Sequence, residues 1–304
     1  LAFTLANALA YVDAAITKGM DIDDFAPRLS FFFNCHNDFF EEIAKFRAAR
    51  TLWHDLIEQR YQPKNPKSKM LRFHTQVAGV SLTAQQPLNN VARVTIQALA
   101  AVIGGTQSLH TNSYDEALGL PTESSATVAL RTQQIIAEES GVADTVDPIA
   151  GSWHVERLTK EIYERAHDII KKIEEKGGAM TAIEEGWQQQ EIHLAAYQHL
   201  NEVENETRKI VGVNHGTMDE IEGIPVMKTD ASLGERQSER LRELRAQRNN
   251  QAVTEALEAV ALSAENGSNL FPYVIEAVRA RATLGEIIHV LKARFGTYMA
   301  PSGF

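Results

Sequence analysis

Apolar residues recur at Leu1, Leu5, Leu9 and Val12, the spacing of one helical face, and Gly19 stops the pattern after a helix to about residue 18. No capping residue precedes this face, so the chain reads as opening inside a helix whose upstream sequence is missing. A short apolar run, Arg28-Leu-Ser-Phe-Phe-Phe-Asn34, follows, then a helical pattern over 38–59 with Phe39, Ile43, Phe46, Leu52 and Leu56. The cycle repeats. Met70-Leu-Arg-Phe-His-Thr-Gln76 precedes a helix over 89–103, and Gln107-Ser-Leu-His-Thr-Asn112 precedes one over 123–139. Strands alternating with helices through short connections predict a parallel sheet. The strand candidates end on polar Asn34, Gln76 and Asn112, as strands do where they line the mouth of an α/β barrel. Periodicity leaves a doubly wound sheet equally open.

Beyond residue 150 the pattern turns helical: 159–176, ended by Gly177-Gly178, then 179–200, 230–248, 251–262, 271–281 and 284–295. A strand-like run, Ile210-Val-Gly-Val-Asn214, interrupts it. The expected organisation is therefore sheet-building units over 1–150 and a helical linking or docking region over 151–304. Internal repeats and low-complexity tracts are absent from the sequence.

Composition narrows the function. A net charge of -10 opposes sequence-independent nucleic-acid binding, which needs clustered cations. Cys35 is the only cysteine, which excludes an intrachain disulfide and a zinc cage built on several cysteines, and fits a reducing, cytoplasmic compartment. No apolar run is long enough for a membrane helix. Phosphate-loop, His-Glu-x-x-His and Gly-x-Ser-x-Gly patterns are also missing, so no self-contained catalytic motif is legible.

Three segments carry a resemblance: Ala26-Pro-Arg-Leu-Ser-Phe-Phe32, Leu71-Arg-Phe-His-Thr-Gln76, and Gly105-Thr-Gln-Ser-Leu-His-Thr-Asn-Ser-Tyr-Asp-Glu-Ala-Leu-Gly-Leu-Pro121. With Val146-Asp-Pro-Ile-Ala-Gly-Ser152 and Ile210-Val-Gly-Val-Asn214 they make the chain resemble the substrate-binding barrel of adenosylcobalamin-dependent acyl-CoA mutases, most nearly the large subunit of the methylmalonyl type. The resemblance implies the C-terminal portion of a (β/α)8 barrel followed by a mostly helical linker. It also implies an isomerase that rearranges methylmalonyl-CoA and succinyl-CoA by radical chemistry.

The same resemblance assigns Arg28, Ser30, Phe32, His74, Gln76 and Gln107 to the acyl-CoA, and Asn112, Glu116 and Leu120 to the adenosyl group. Arg28 and Ser30 suit anionic or carbonyl oxygens at a strand mouth. Phe32 suits a water-excluding wall, and Glu116 suits ribose hydroxyls. Taken alone, Arg28 reads as a surface ion-pairing residue, Phe32 as core, His74 as a satisfied core histidine and Glu116 as a charge at a helix N-terminus. His110 is matched only to support of the fold.

The family's cobalt-ligating Asp-x-His-x-x-Gly is absent, which places the cobalamin on another domain or a separate small subunit. Catalytic residues are expected upstream, the isolated chain is expected to be inactive, and the working enzyme is expected to be an oligomer. Phe33-Asn-Cys-His-Asn-Asp38 departs from the bacterial and human methylmalonyl pattern toward isobutyryl-type mutases and archaeal two-chain methylmalonyl enzymes, whereas Leu88 and the segment from Asn112 to Ala117 lean back toward methylmalonyl. An isobutyryl- or 2-hydroxyisobutyryl-CoA mutase, or a non-catalytic barrel scaffold, are the alternatives.

Overall fold

The structure, a computed structural model, describes residues 1–218, 223–230 and 232–299. The sequence's last residues, 300–304, lie outside them. The chain forms two compact units, Leu1–Met227 and Lys228–Phe304.

The first unit holds a parallel sheet of three strands, β1 (Phe31–Cys35), β2 (Phe73–Val77) and β3 (Ser108–His110), in the order β1-β2-β3. Helices α1 (Ala2–Thr17) and α2 (Ile22–Phe25) precede β1. Helix α3 (Phe39–Tyr61) links β1 to β2, and α4 (Asn90–Ile103) links β2 to β3. Then come α5 (Glu123–Glu139), α6 (Trp153–Glu175), α7 (Ala179–Glu184) and α8 (Trp187–Glu204).

Every strand begins later than its apolar run. Pro27 starts a 3-10 turn over Ala26–Arg28, and Leu29 N donates to Ala26 O, so strand pairing begins only at Phe31. Arg28 and Ser30 therefore lie before the N-terminal end of β1, not at the strand mouth the sequence suggested. At the other end, β3 stops at His110 and leaves Asn112 in the following loop.

Alternation sends Phe31, Phe33 and Cys35, with Phe73, Thr75 and Val77, to the face under α3 and α4. There Phe46 of α3 lies 5.0 Å from the Phe73 ring and 6.2 Å from Phe33, and Trp53 meets Phe31 edge-on at 4.9 Å. Each buried ring contributes about 2–3 kcal/mol by leaving water. Buried Thr75 satisfies its hydroxyl on Thr106 Oγ1 at 2.8 Å. Asp38 caps α3 by accepting from Glu41 N, and Thr122 caps α5 by accepting from Ser125 N.

The opposite face of the sheet has no helix on it among the described residues. Parallel sheets are ordinarily covered on both faces. Phe32 is 53% exposed, and Asn34, Ser108 and His110 are also exposed.

The division into units falls later than the change in sequence pattern at 150. Val155, Ala166, Ile170 and Ile173 of α6 join the same core as α1, β1 and α3, so the first helices of 151–304 belong with the sheet. Arg47 of α3 ties them down, bonding Asp147, Glu156 and Thr159. The long helix expected over 179–200 is broken at Gly186, whose φ of 76° stops α7 before α8. The strand-like run at Ile210 is a turn. Asn214 accepts from Ile210 N at 2.7 Å and donates to Val203 O and Arg208 O, leaving only an isolated bridge between Val211 and His215.

The second unit contains α9 (Ser232–Gln247), α10 (Asn250–Glu265), α11 (Leu270–Arg279) and α12 (Leu284–Phe295). Val260, Ala277 and Ile287 form its small core, and no residue of α9 is buried.

Candidate functional site

Register builds the site. Phe32 pairs with His74 and His74 with Ser108. One step further, Asn34 pairs with Gln76 and Gln76 with His110. Both rows project from the uncovered face. In the first row the Phe32 and His74 rings are 5.2 Å apart, and His74 Nδ1 shares a 2.7 Å hydrogen bond with Ser108 Oγ. The serine fixes the imidazole beside an exposed aromatic ring, so His74 is a surface group of this face and not a core histidine.

At the C-terminal end of the strands Gln76 Nε2 donates to Asn112 Oδ1 at 3.2 Å, and Asn112 Nδ2 donates to Val77 O at 3.1 Å. Asn112 is 2% exposed. The loop carrying it is closed by Asp115, whose Oδ2 accepts from Thr122 N at 3.2 Å and whose O accepts from Leu118 N and Gly119 N. Asp115 is fully buried; burial pushes its carboxyl up, but hydrogen bonding, that of Thr122 N included, outweighs burial and holds it below the usual range. Its bonds to Thr122, Leu118 and Gly119 pin the loop. Glu116 stands exposed on this turn, well before α5 begins, so it is not a helix-end charge. Leu120 is 59% exposed further along.

Gly79, just past β2, closes the cradle. A Cβ there would lie 2.9 Å from Asn112 Nδ2 and 3.4 Å from Glu116 Oε1. An amide, a carboxylate and bare backbone thus converge on one small space, a donor set that fits sugar hydroxyls and the edge of a base.

The remaining predicted residues gather at the opposite, N-terminal edge. Arg28 and Ser30 are exposed ahead of β1, and Arg28 has no salt bridge among the described residues. Gln107 lies ahead of β3. Its Oε1 accepts from Phe73 N at 2.7 Å and its Nε2 donates to Gly105 O at 2.9 Å, which leaves one N–H free. The nine residues therefore form two groups joined by the Phe32–His74 row. Gly79 was missed, while Asn34 and His110 were named only as a strand end and as support of the fold. Asn34 had a signal, because it shares the alternation of Phe32. Gly79 had a weaker one, a glycine directly after a strand. Groups of three or more metal-ligating side chains are absent among the described residues.

The family sequence model described as Methylmalonyl-CoA mutase matches residues 1–297. The chain belongs to the methylmalonyl-CoA mutase family. It is 47% identical to the methylmalonyl-CoA mutase of Escherichia coli over 303 residues, 99% of this chain and 42% of that protein. It is 46% identical to the 2-hydroxyisobutanoyl-CoA mutase large subunit of Aquincola tertiaricarbonis over 299 residues, 98% of this chain and 53% of that one. The human mitochondrial methylmalonyl-CoA mutase is 45% identical, across 99% of this chain and 40% of its own length. The chain thus spans about half the length, or less, of these family members. Both kinds of mutase match it almost equally, so overall identity does not separate their substrates. No described helix is long and apolar enough to cross a membrane.

Proposed function

We propose that this chain supplies the C-terminal βα units of a (β/α)8 barrel in an adenosylcobalamin-dependent acyl-CoA mutase. The observation that carries the reading is the two-ended uncovered sheet face. A long ligand lying across it meets Arg28, Ser30 and the free N–H of Gln107 at the N-terminal edge. It then passes the Phe32–His74 row and ends beside Gln76. That order suits the pantetheine and thioester of an acyl-CoA. At the far end Asn112 and Glu116 hold nucleoside hydroxyls over the Gly79 backbone.

The barrel is supported by an open edge. A cavity of about 390 Å³ lies between α1 and β1, lined by Phe3, Asn7, Tyr11, Ser30 and Phe32. Asn7 Oδ1 is buried there with no hydrogen-bond partner. A further parallel strand against β1 fills this space and offers Asn7 a backbone N–H.

Adenosylcobalamin, when bound, supplies the homolytic chemistry of its cobalt–carbon bond, with the cobalt held by another domain or a small subunit. This chain's residues do the rest. Gln76 and Asn112 orient, Arg28 and Ser30 anchor, and Phe32 with Leu120 excludes water from reactive carbon centres. The helices beyond 151 serve as the linking and docking region, the working enzyme is a cytoplasmic oligomer, and the acidic balance leaves nucleic acid out of its partners.

A 2-hydroxyisobutyryl- or isobutyryl-type substrate is favoured by one observation, the Asn-Cys-His-Asn segment at the end of β1. The test is to co-express the full-length parent with candidate cobalamin-bearing subunits and assay methylmalonyl-CoA, isobutyryl-CoA and 2-hydroxyisobutyryl-CoA. Cofactor-dependent turnover of one fixes the substrate. Turnover of none, with cobalamin bound, favours the scaffold reading.

A further inference from the structure

We propose that His36 is a further ligand-binding residue, giving a hydrogen bond to a hydroxyl or ring nitrogen of the nucleoside that Asn112 and Glu116 hold. The inference rests on the mutase reading and adds a residue to its cofactor end.

Gly79–Ser81 is a single 3-10 turn after β2. At its first residue, Gly79, an added Cβ would meet Asn112 at 2.9 Å and Glu116 at 3.4 Å. At its last residue Ser81 Oγ meets His36 Nδ1 at 3.1 Å. A 3-10 turn rises only about 2 Å per residue. His36 and Glu116 therefore flank the same few ångströms of backbone, from the β1 side and the β3 side.

His36 follows Cys35, whose side chain is fully buried toward the helices, so its alternation puts it on the same side as Asn34. The turn is anchored from behind. Cys35 Sγ donates to Gln97 O at 3.1 Å, and Asn37 Oδ1 accepts from Gln97 Nε2 at 2.6 Å. Gln97 is itself completely buried in α4. With Asn37 and Ser81 engaged, the imidazole is held in one orientation, and its Nε2 has no hydrogen bond among the described residues.

Burial pushes the imidazole below its ordinary pKa. Glu42 opposes this, while Lys45 of α3 and His199 of α8 reinforce it. Ser81 can donate to Nδ1 or accept from it, so Nε2 can present either a donor or an acceptor. That versatility suits a ribose hydroxyl or an adenine nitrogen, not a phosphate.

The test uses the full-length enzyme with its cobalamin-bearing partner and 5′-deoxyadenosine as the probe, read by calorimetry and by 15N-labelled histidine shifts. Wild type binds, and the His36 nitrogens shift on addition. His36→Phe weakens binding about tenfold, the loss of one hydrogen bond. His36→Gln, which keeps a side-chain donor and acceptor, stays within about threefold of wild type. Glu116→Gln weakens binding independently. If Glu116→Gln weakens binding while His36→Phe leaves it and the nitrogen shifts unchanged, the inference is overturned and the site reading stands. If wild type does not bind the probe, or neither variant weakens binding, the cofactor end of the site is misassigned and both fall.

Discussion

A methyl group at position 79 would press on Asn112 Nδ2 at 2.9 Å, and Asn112 is not free to retreat, because it is already bonded to Gln76 and to Val77 O. Gly79→Ala is therefore expected to displace the cradle and not to unfold the chain. Cofactor affinity in the assembled enzyme should fall about tenfold or more, with a melting temperature within a few degrees of wild type. Titration of apoenzyme with adenosylcobalamin checks it, and unchanged affinity would show that the nucleoside lies elsewhere. A second prediction concerns Asp115. Asp115→Ala leaves Thr122 N without its side-chain acceptor and should loosen the 112–122 loop, read as faster amide exchange there and a loss of about 1–3 kcal/mol. At this scale the sequence pointed to polar residues but not to the partners each one has. Glu116, read alone as a helix-end charge, stands on the turn at Asp115 instead. The two backbone partners of Gln107 leave no trace in a pattern of side chains. Gly79 became meaningful only when two residues more than thirty positions away closed on it.

Elements were more legible than residues. Helix α5 and helix α12 begin and end where hydrophobic period and caps placed them, since Thr122 and Thr283 are unambiguous N-caps. The start of β1 was displaced because Pro27 holds a 3-10 turn over Ala26–Arg28, and apolar character alone does not report that. Helix α6 began earlier than expected, at Trp153, since its cap residue Ser152 makes no side-chain cap bond. The C-terminal unit yields a prediction about pH. Glu286 completes a capping box with Thr283, and Arg248, nearly buried, donates to both of its oxygens. Those bonds from Arg248, more than burial can offset, depress the Glu286 carboxyl to about 2. A depressed carboxylate stabilises the fold above its ordinary pKa, and that stabilisation drains away as pH falls from about 4.5 toward 2. The outer side of Glu286 meets water, so on the order of 1–2 kcal/mol is at stake. Thermal melts at about pH 6 and pH 3 should show a downward shift in the wild-type chain that is clearly smaller in Glu286→Gln. Equal shifts in both would mean that the ion pair carries no pH-linked stability.

The whole molecule turns on a sheet that is finished on one face only. Helices α3 and α4 cover the apolar side with interlocked Phe46, Phe73, Phe33 and Trp53, while the other side presents Phe32 beside polar rows, and β1 keeps an open edge under α1. Alternation of strand and helix made the parallel sheet legible, but it could not choose between a barrel and an open sheet, because closure is a relation among strands and not a property of any one. If the face is a barrel interior, the chain should behave as one half of a larger core. Expressed alone, it should bind hydrophobic dye and self-associate in a concentration-dependent way, through the open edge and the exposed Phe32 and Tyr11. Added as a separate polypeptide, the upstream half of the parent protein should dock on it, abolish dye binding and raise its melting temperature by mass action. Tyr11→Glu, which places a charge in the α1–β1 groove, should weaken that complementation without disturbing the helical core behind the sheet. A chain that is monomeric and dye-silent on its own, and gains nothing from the upstream half, would mean that the sheet face is satisfied as it stands and that the barrel is the wrong completion.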